Sequence, residues 1–339
     1  MNFRYLILIF IGIFFFNSCE KELDFPQEDS KKLCIFALAS PQQEMEIYVS
    51  HSLPINSSIS FMQYLSLNEF TDKAKEYYRK KLAINDANVR LKVNGEQEIL
   101  MTFNDSTHSY RCDYTPRLHD RLSLIVAKEG YMTATAETYV EEPTNTKDFH
   151  YTVRYNEAVN QEDRKLVEGG QTDVFGMDSL ITLTFSFHDS AFYDNYYRLK
   201  VRSVGDIPKI VGTTIIGYQY SYDDTFTSPD IIFHDGQLAK DDGGWEPYMT
   251  NVFDDHLFDG TDHTFTLDTR MRRGMNKRII LELQSISKDL YLYLKSMQIY
   301  ERSSDDVFAS PVSIYTNVRN GWGVFGSMSS YPQTIYLHR

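Results

Sequence analysis

Ala87, Val89, Leu91 and Val93 alternate with Asn88, Arg90, Lys92 and Asn94. A period of two sends successive side chains to opposite faces, so this stretch is predicted to be a strand with one buried face and one wet face. Asn94-Gly95 comes next, ahead of the run Glu96–Phe103. An Asn-Gly pair between strands predicts a hairpin, with both turn residues at positive φ. Leu122, Leu124 and Val126 repeat the alternation, and Gly130-Tyr131 turns the chain into Met132–Val140. Farther on, Ile181, Leu183, Phe185 and Phe187 alternate with Thr182, Thr184, Ser186 and His188. Strands are also predicted over Tyr196–Val204, Arg278–Gln284, Val324–Met328 and Thr334–Leu337.

Two stretches change period. In Leu67–Leu82, Phe70, Ala74, Tyr77 and Tyr78 share one face of a helix. Lys73, Lys75, Arg79, Lys80 and Lys81 make that helix basic, so it reads as a solvated edge helix, with docking of an acidic partner as the alternative. Lys288–Tyr300 reads as a second helix with Leu290, Leu294 and Met297 on one stripe, and Ser287 placed to cap it.

Short strands with frequent turns predict a mostly β chain, and the length leaves room for about two domains. The expected division is a signal peptide at 1–18, an acidic tether at 19–32 and an immunoglobulin-like β-sandwich with a helical insert at 33–140. A linker and connecting segment follows at 141–177, opening on Glu141-Glu142-Pro143-Thr144-Asn145, and a larger, β-rich, sandwich-like domain with one helix fills 178–339.

The first eighteen residues fit no strand or core. Arg4 precedes an uncharged run, Tyr5–Phe16, too short to span a bilayer and suited to a signal sequence. Phe16-Asn17-Ser18-Cys19 resembles a bacterial lipobox, with Cys19 as the lipid-anchor residue and Glu20, Lys21, Glu22 and Asp24 as a solvated start to the tether. The formal net charge of −13 argues against nucleic acid as a partner and against electrostatic docking on anionic headgroups. Cys34 and Cys112 remain, read as buried thiols on neighbouring strands, with an oxidised pair as the alternative.

Candidate chemistry is sparse. Gly321-Trp322-Gly323-Val324-Phe325-Gly326 spells G-x-G-x-x-G, but no helix signal or later acidic residue follows, so it reads as a glycine-bent strand. Asp255 and Asp259 are weak metal candidates in an Asp/His-rich loop. The spacing fits neither an EF-hand nor a zinc site, and a turn built on Asp and Gly is the preferred reading. The stretch 217–262 reads as loops, where Tyr220, Tyr222, Trp245 and Tyr248 offer stacking area beside Asp241 and Asp242. That combination predicts a binding surface for a ligand or a partner. No catalytic residue and no cofactor is expected.

FSFHDSAFYDNYYRLKV (185–201), NVFDDHLFDGTDHTFTL (251–267), LQSISKDLYLYLKS (283–296) and SPVSIYTNVRNGWGVFGS (310–327), behind a lipobox, resemble the DUF4249 family of Bacteroidetes outer-membrane lipoproteins. The resemblance covers most of the chain after Cys19. It implies an outer-membrane location facing the cell exterior, and company with a TonB-dependent transporter. It carries no assigned activity and so assigns no functional residue. The expected function is therefore a non-enzymatic binding or accessory subunit of a nutrient uptake system, with a small ligand of unknown identity if it binds one. The alternatives are a surface hydrolase acting on a polymer before uptake and an adhesion or assembly protein.

Overall fold

The structure is a computed structural model. It describes residues 32–52, 79–155, 179–211, 214–223, 225–234, 249–271, 275–304 and 312–337. The expected signal, Cys19 and the expected tether up to residue 31 lie outside the described residues, as does the expected basic helix before its last turn, 79–82.

In chain order the strands are β1 (Leu33–Ala39), β2 (Glu46–His51), β3 (Asn88–Val93), β4 (Gln97–Leu100), β5 (Thr102–Asn104), β6 (Ser109–Arg111), β7 (Arg121–Ala127), β8 (Ala134–Tyr139) and β9 (Thr146–Tyr155). They continue as β10 (Ser179–His188), β11 (Tyr196–Val211), β12 (Thr214–Asp223), β13 (Phe226–Thr227), β14 (Val252–Asp254), β15 (Asp262–Met271), β16 (Met275–Ile286), β17 (Gly321–Ser330) and β18 (Gln333–Tyr336). Helix α1 spans Lys288–Ser304. The mostly β, sandwich-like expectation holds.

The first core lies where β4-β3-β7-β8 faces β1, β2 and β6. Val89, Leu91, Leu122, Leu124 and Val126 fill it with Leu33, Ile35, Ile47 and Val49, all buried. The hairpin after β3 turns as expected, with φ of 52° at Asn94 and 76° at Gly95. The second core lies between β13-β15-β10-β9 and the β11–β16 part of the other sheet. It is aromatic: Phe185, Phe187, Phe233, Phe253, Phe258 and Phe265 are buried with Tyr197.

One sheet serves both cores. Its order is β12-β11-β16-β17-β1-β2-β6-β5, and residues 32–339 form one compact unit. The join is β17, which pairs parallel with β1 from Leu33↔Gly321 to Ala39↔Ser327. The glycine motif is therefore a strand, as its sequence suggested. Gly323 has φ of +101°, and a Cβ there would lie 2.1 Å from the Ile35 carbonyl oxygen, so only glycine permits the pairing. Asn317 braces the strand by donating to the Phe325 carbonyl (2.8 Å) and accepting its N–H (3.0 Å). Phe325 itself is buried in the first core.

Several local readings shift. Part of the stretch expected to connect the halves, 146–155, is itself strand β9, paired with β10. α1 begins where predicted, with Leu290 N–H bonding Ser287 Oγ (3.4 Å), but runs on to Ser304. Cys34 on β1 and Cys112, just past the end of β6, are free and half-buried, and β2 lies between β1 and β6, so the two are not on neighbouring strands. Burial pushes the Cys34 thiol up to about 11, against a hydrogen bond to Ser50.

Candidate functional site

The turn after β10 and the turn after β14 meet at one end of the second core. Asp189 ends the first strand's run and is fully buried. Its carboxylate accepts from Tyr197 Oη (2.5 Å) and from the Gly260 N–H (2.9 Å). Asp255 accepts from the Asn195 N–H (2.7 Å) and from Asn195 Nδ2 (3.1 Å). Asn195 Nδ2 also reaches the carbonyls of Ser190 and Tyr193. Each end of loop 189–195 is thus tied to the 255–260 turn. Contact is close: a Cβ on Gly260 would lie 2.7 Å from the Ala191 Cβ.

The same geometry brings Asp189, Asp255 and Asp259 together, with one carboxylate oxygen from each within 4.8 Å of the others. Burial raises the Asp255 pKa, and the Asp189 charge adds to it, against the bonds from Asn195. Oxygen donors at this spacing suit a hard cation. Asp189 and Asp255 also accept bonds from donors on both loops, so the cluster braces them together. Asp189 was not paired with Asp255 and Asp259 in the sequence reading because only the fold brings it there.

The brace presents two aromatics. Phe192 is 94% exposed with φ of +79°, and Tyr193 is 77% exposed. A bulky residue in the left-handed region costs energy and persists only where its surroundings impose it. Sequence reasoning passed over both residues. The available signal was two aromatics set among the turn formers of Asp189-Ser190-Ala191-Phe192-Tyr193-Asp194-Asn195.

Beside the 255–260 turn lies a recess of about 200 Å³ lined by Ile232, Phe253, Asp254, His256, Leu257, Tyr291 and Lys295. Asp254 accepts from Tyr291 Oη (3.0 Å) and pairs with His256 Nδ1. Burial pushes the Asp254 pKa up, but the bonds from His256 and Tyr291 outweigh it and the net shift is downward. Tyr291 packs on Tyr196 (ring centroids 4.8 Å apart), and Lys295 Nζ lies 5.9 Å from the Tyr291 ring centre. The recess thus sets a carboxylate, an imidazole and an ammonium beside the apolar side chains of Ile232, Phe253 and Leu257.

The predicted site residues fall otherwise. Tyr220 and Tyr222 lie on strand β12, which corrects the reading of 217–223 as loop. Asp241, Asp242, Trp245 and Tyr248 lie outside the described residues. On the described residues that flank them, the Thr250 N–H bonds the Phe233 carbonyl (2.7 Å).

Two blocks that carry the resemblance, Phe187-His188-Asp189…Asn195-Tyr196-Tyr197 and Phe258-Asp259-Gly260, are thus the two halves of this brace. Fold and site together define a mostly β protein with two cores on a shared sheet and an aromatic-tipped loop at one end. The chain belongs to the family described as a domain of unknown function, DUF4249, which matches residues 20–334. No curated protein and no solved structure matches it.

Proposed function

We propose that this chain is a lipid-anchored, non-enzymatic binding or accessory subunit on the outer surface of a Bacteroidetes-type outer membrane, working beside a TonB-dependent transporter. The lipobox-like Phe16–Cys19 and the charged residues after it support the location, and the family resemblance supports the transporter. The observation that carries the docking role is the loop 189–195. It is pinned at both ends by buried carboxylates and holds Phe192 and Tyr193 out into solvent. Rigid, exposed aromatics lose little entropy on contact and are the usual energetic centres of protein interfaces. The recess beside them gives the same end of the molecule room for a small ligand.

The test is purification from native membranes in mild detergent. The wild-type chain should bring a TonB-dependent transporter with it. Phe192→Ala with Tyr193→Ala should lose it while keeping the wild-type circular dichroism, with a binding loss of about 2 kcal/mol or more. A transporter retained by the double variant rejects the docking role of the loop. A wild-type chain that comes alone rejects the accessory reading.

A further inference from the structure

The net charge of the chain does not describe how its charges are placed. A ring of contacts closes one end of the first core. The Lys32 N–H bonds Ser52 Oγ (3.3 Å), Ser50 on β2 forms a backbone bridge with Ala83, and Lys128 Nζ bonds Asp86 Oδ2 (2.6 Å). Asn320 Nδ2 bonds the Thr133 carbonyl (3.1 Å), and Lys32 Nζ lies 4.6 Å from the centre of the Trp322 ring. The turn 79–82 joins the ring through the Ala83 N–H, which bonds the Arg79 carbonyl (3.0 Å). These contacts gather six cations, Lys32, Arg79, Lys80, Lys81, Lys128 and Arg319, against two carboxylates, Asp86 and Glu129, and Asp86 is already paired with Lys128. Arg79, Lys80, Lys81 and Arg319 are exposed, and so are two apolar side chains on the same end, Trp322 at 43% and Met132 at 62%.

The opposite end of this core is acidic. The Met45 N–H bonds the Tyr114 carbonyl, the Asn94 N–H that of Arg121 and the His119 N–H that of Val140. Gathered there are Glu44, Glu96, Asp113, Asp120, Glu141 and Glu142 against Arg117 and Arg121. β1 runs between the two ends in seven residues, about 20 Å. That is about two Debye lengths at physiological salt, so a surface held against the first end meets its cations and is screened from the acids at the other. A chain whose total charge opposes docking on anionic headgroups thus carries one surface that favours it. Lys32 is also where the N-terminal segment enters the compact unit 32–339. Cys19 lies thirteen residues earlier, so a lipid on Cys19 keeps Lys32 within about 45 Å of the membrane by chain length alone.

We propose that this end is a membrane-facing base, on which Lys80, Lys81 and Arg319 meet the phosphates of anionic lipid headgroups while Trp322 and Met132 lie at the headgroup boundary. The proposal rests on the reading of Cys19 as the lipid anchor, which supplies proximity; the cations supply orientation. Each Lys or Arg near an anionic surface adds attraction that fades within a Debye length. A tryptophan has an apolar body and a polar N–H, and the type is enriched at lipid–water boundaries. The contact leaves the docking loop clear. Tyr197, two residues past Asn195, pairs with Ser285, which pairs with Ser329, eight positions along β17 from Gly321.

The test uses the complete chain from Glu20 to Arg339, prepared without acyl groups and with Trp245→Phe, so that Trp322 is the one tryptophan. It is floated with vesicles of phosphatidylethanolamine and phosphatidylglycerol that carry a nitroxide quencher at the headgroup. At low salt the chain should float and Trp322 emission should fall. At about 0.5 M salt, or with phosphatidylcholine in place of phosphatidylglycerol, both effects should be lost. Lys80→Glu, Lys81→Glu and Arg319→Glu together should weaken flotation at least about tenfold. Arg121→Glu, Lys200→Glu and Lys209→Glu, the same change in net charge elsewhere on the surface, should float as the parent does. Circular dichroism checks that each variant is folded. A parent chain that stays in solution at low salt overturns the proposal, as does flotation that survives the higher salt. So do a base variant that floats unchanged, a control that loses as much as the base variant, and flotation without quenching of Trp322, which puts another surface against the lipid. Mass spectrometry of the chain from native membranes tests Cys19 separately. An unmodified Cys19 rejects the anchor and overturns the proposal with it, whereas failed flotation overturns the base alone.

Discussion

The two cores fill the same kind of space with different side chains. The first is mainly aliphatic, built from Leu, Ile, Val and Ala on strands that alternate cleanly. The second is a cluster of rings: Phe265 lies 5.0 Å from Phe233, 5.4 Å from Phe185 and 5.5 Å from both Phe187 and Phe253, centre to centre. Their corners differ too. Each core is closed at one end by a buried aspartate that accepts bonds from a turn, Asp120 in the first and Asp255 in the second. Asp120 sits among donors: Tyr114 Oη, the Arg117 N–H and Asn94 Nδ2. Asp255 sits beside another carboxylate, Asp189. The first end surrounds its carboxylate with donors, while the second sets two carboxylates side by side beneath an exposed aromatic loop.

The comparison breaks most completely at the join. Gly323→Val should prevent folding, at a cost of about 4 kcal/mol or more, because the new side chain overlaps the Ile35 carbonyl. Gly95→Ala, also at positive φ but with nothing near its Cβ, should cost about 1 kcal/mol. Denaturant midpoints measure both, and a wild-type midpoint for Gly323→Val would refute the parallel pairing. Phe265→Ala should cost about 3–5 kcal/mol and Leu124→Ala about 2–5 kcal/mol. Because the sheet is shared, both should lower one common transition. Two separate transitions in either variant would mean that the cores fold apart.

The two aspartates predict opposite responses to pH. Burial pushes the Asp120 pKa up, but the bonds from Tyr114, Arg117 and Asn94 outweigh it and the net shift is downward. Its contribution is complete above the ordinary carboxylate range and is lost as pH falls through the lowered value. Asp120→Asn should cost about 1.5–3 kcal/mol at neutral pH and less in acid. Asp255 is raised, so the folded chain holds a proton where the unfolded chain has released it. Its contribution is unfavourable above that window and is relieved as pH falls. Asp255→Asn should then be neutral or stabilising by up to about 1 kcal/mol at neutral pH, since it removes a like charge and keeps an acceptor for Asn195. Melting temperatures across acid and neutral pH check both signs, and a strongly destabilised Asp255→Asn would remove the contrast.

Much of the strand content was legible because burial on one face writes itself as alternation. Val89, Leu91, Leu122 and Leu124 were each assigned to a buried face from period alone, and each is buried. The same signal was present in β12, where Tyr218, Tyr220 and Tyr222 alternate with Gln219 and Ser221. Gly217 and the aspartates after it made that stretch read as loop. The shared sheet was not legible, because nothing local in Leu33–Ala39 states that its parallel partner lies at Gly321–Ser327. Asp255 and Asp259 were found by their loop, but Asp189 joins them only through tertiary contact. Phe192 and Tyr193 read as ordinary turn text because exposure is a property of the folded surface.

The β1–β17 pairing also imposes an order of events. A chain emerging from the ribosome presents Leu33–Ala39 long before their partner, Gly321–Ser327, is made. Until then β1 has an open edge on the side that β17 will occupy, and the first core lacks Phe325 and Val318. The first core therefore waits, incomplete and prone to wrong strand partners, while the chain between β1 and β17 is made. The part of the protein that is begun first is thus completed late.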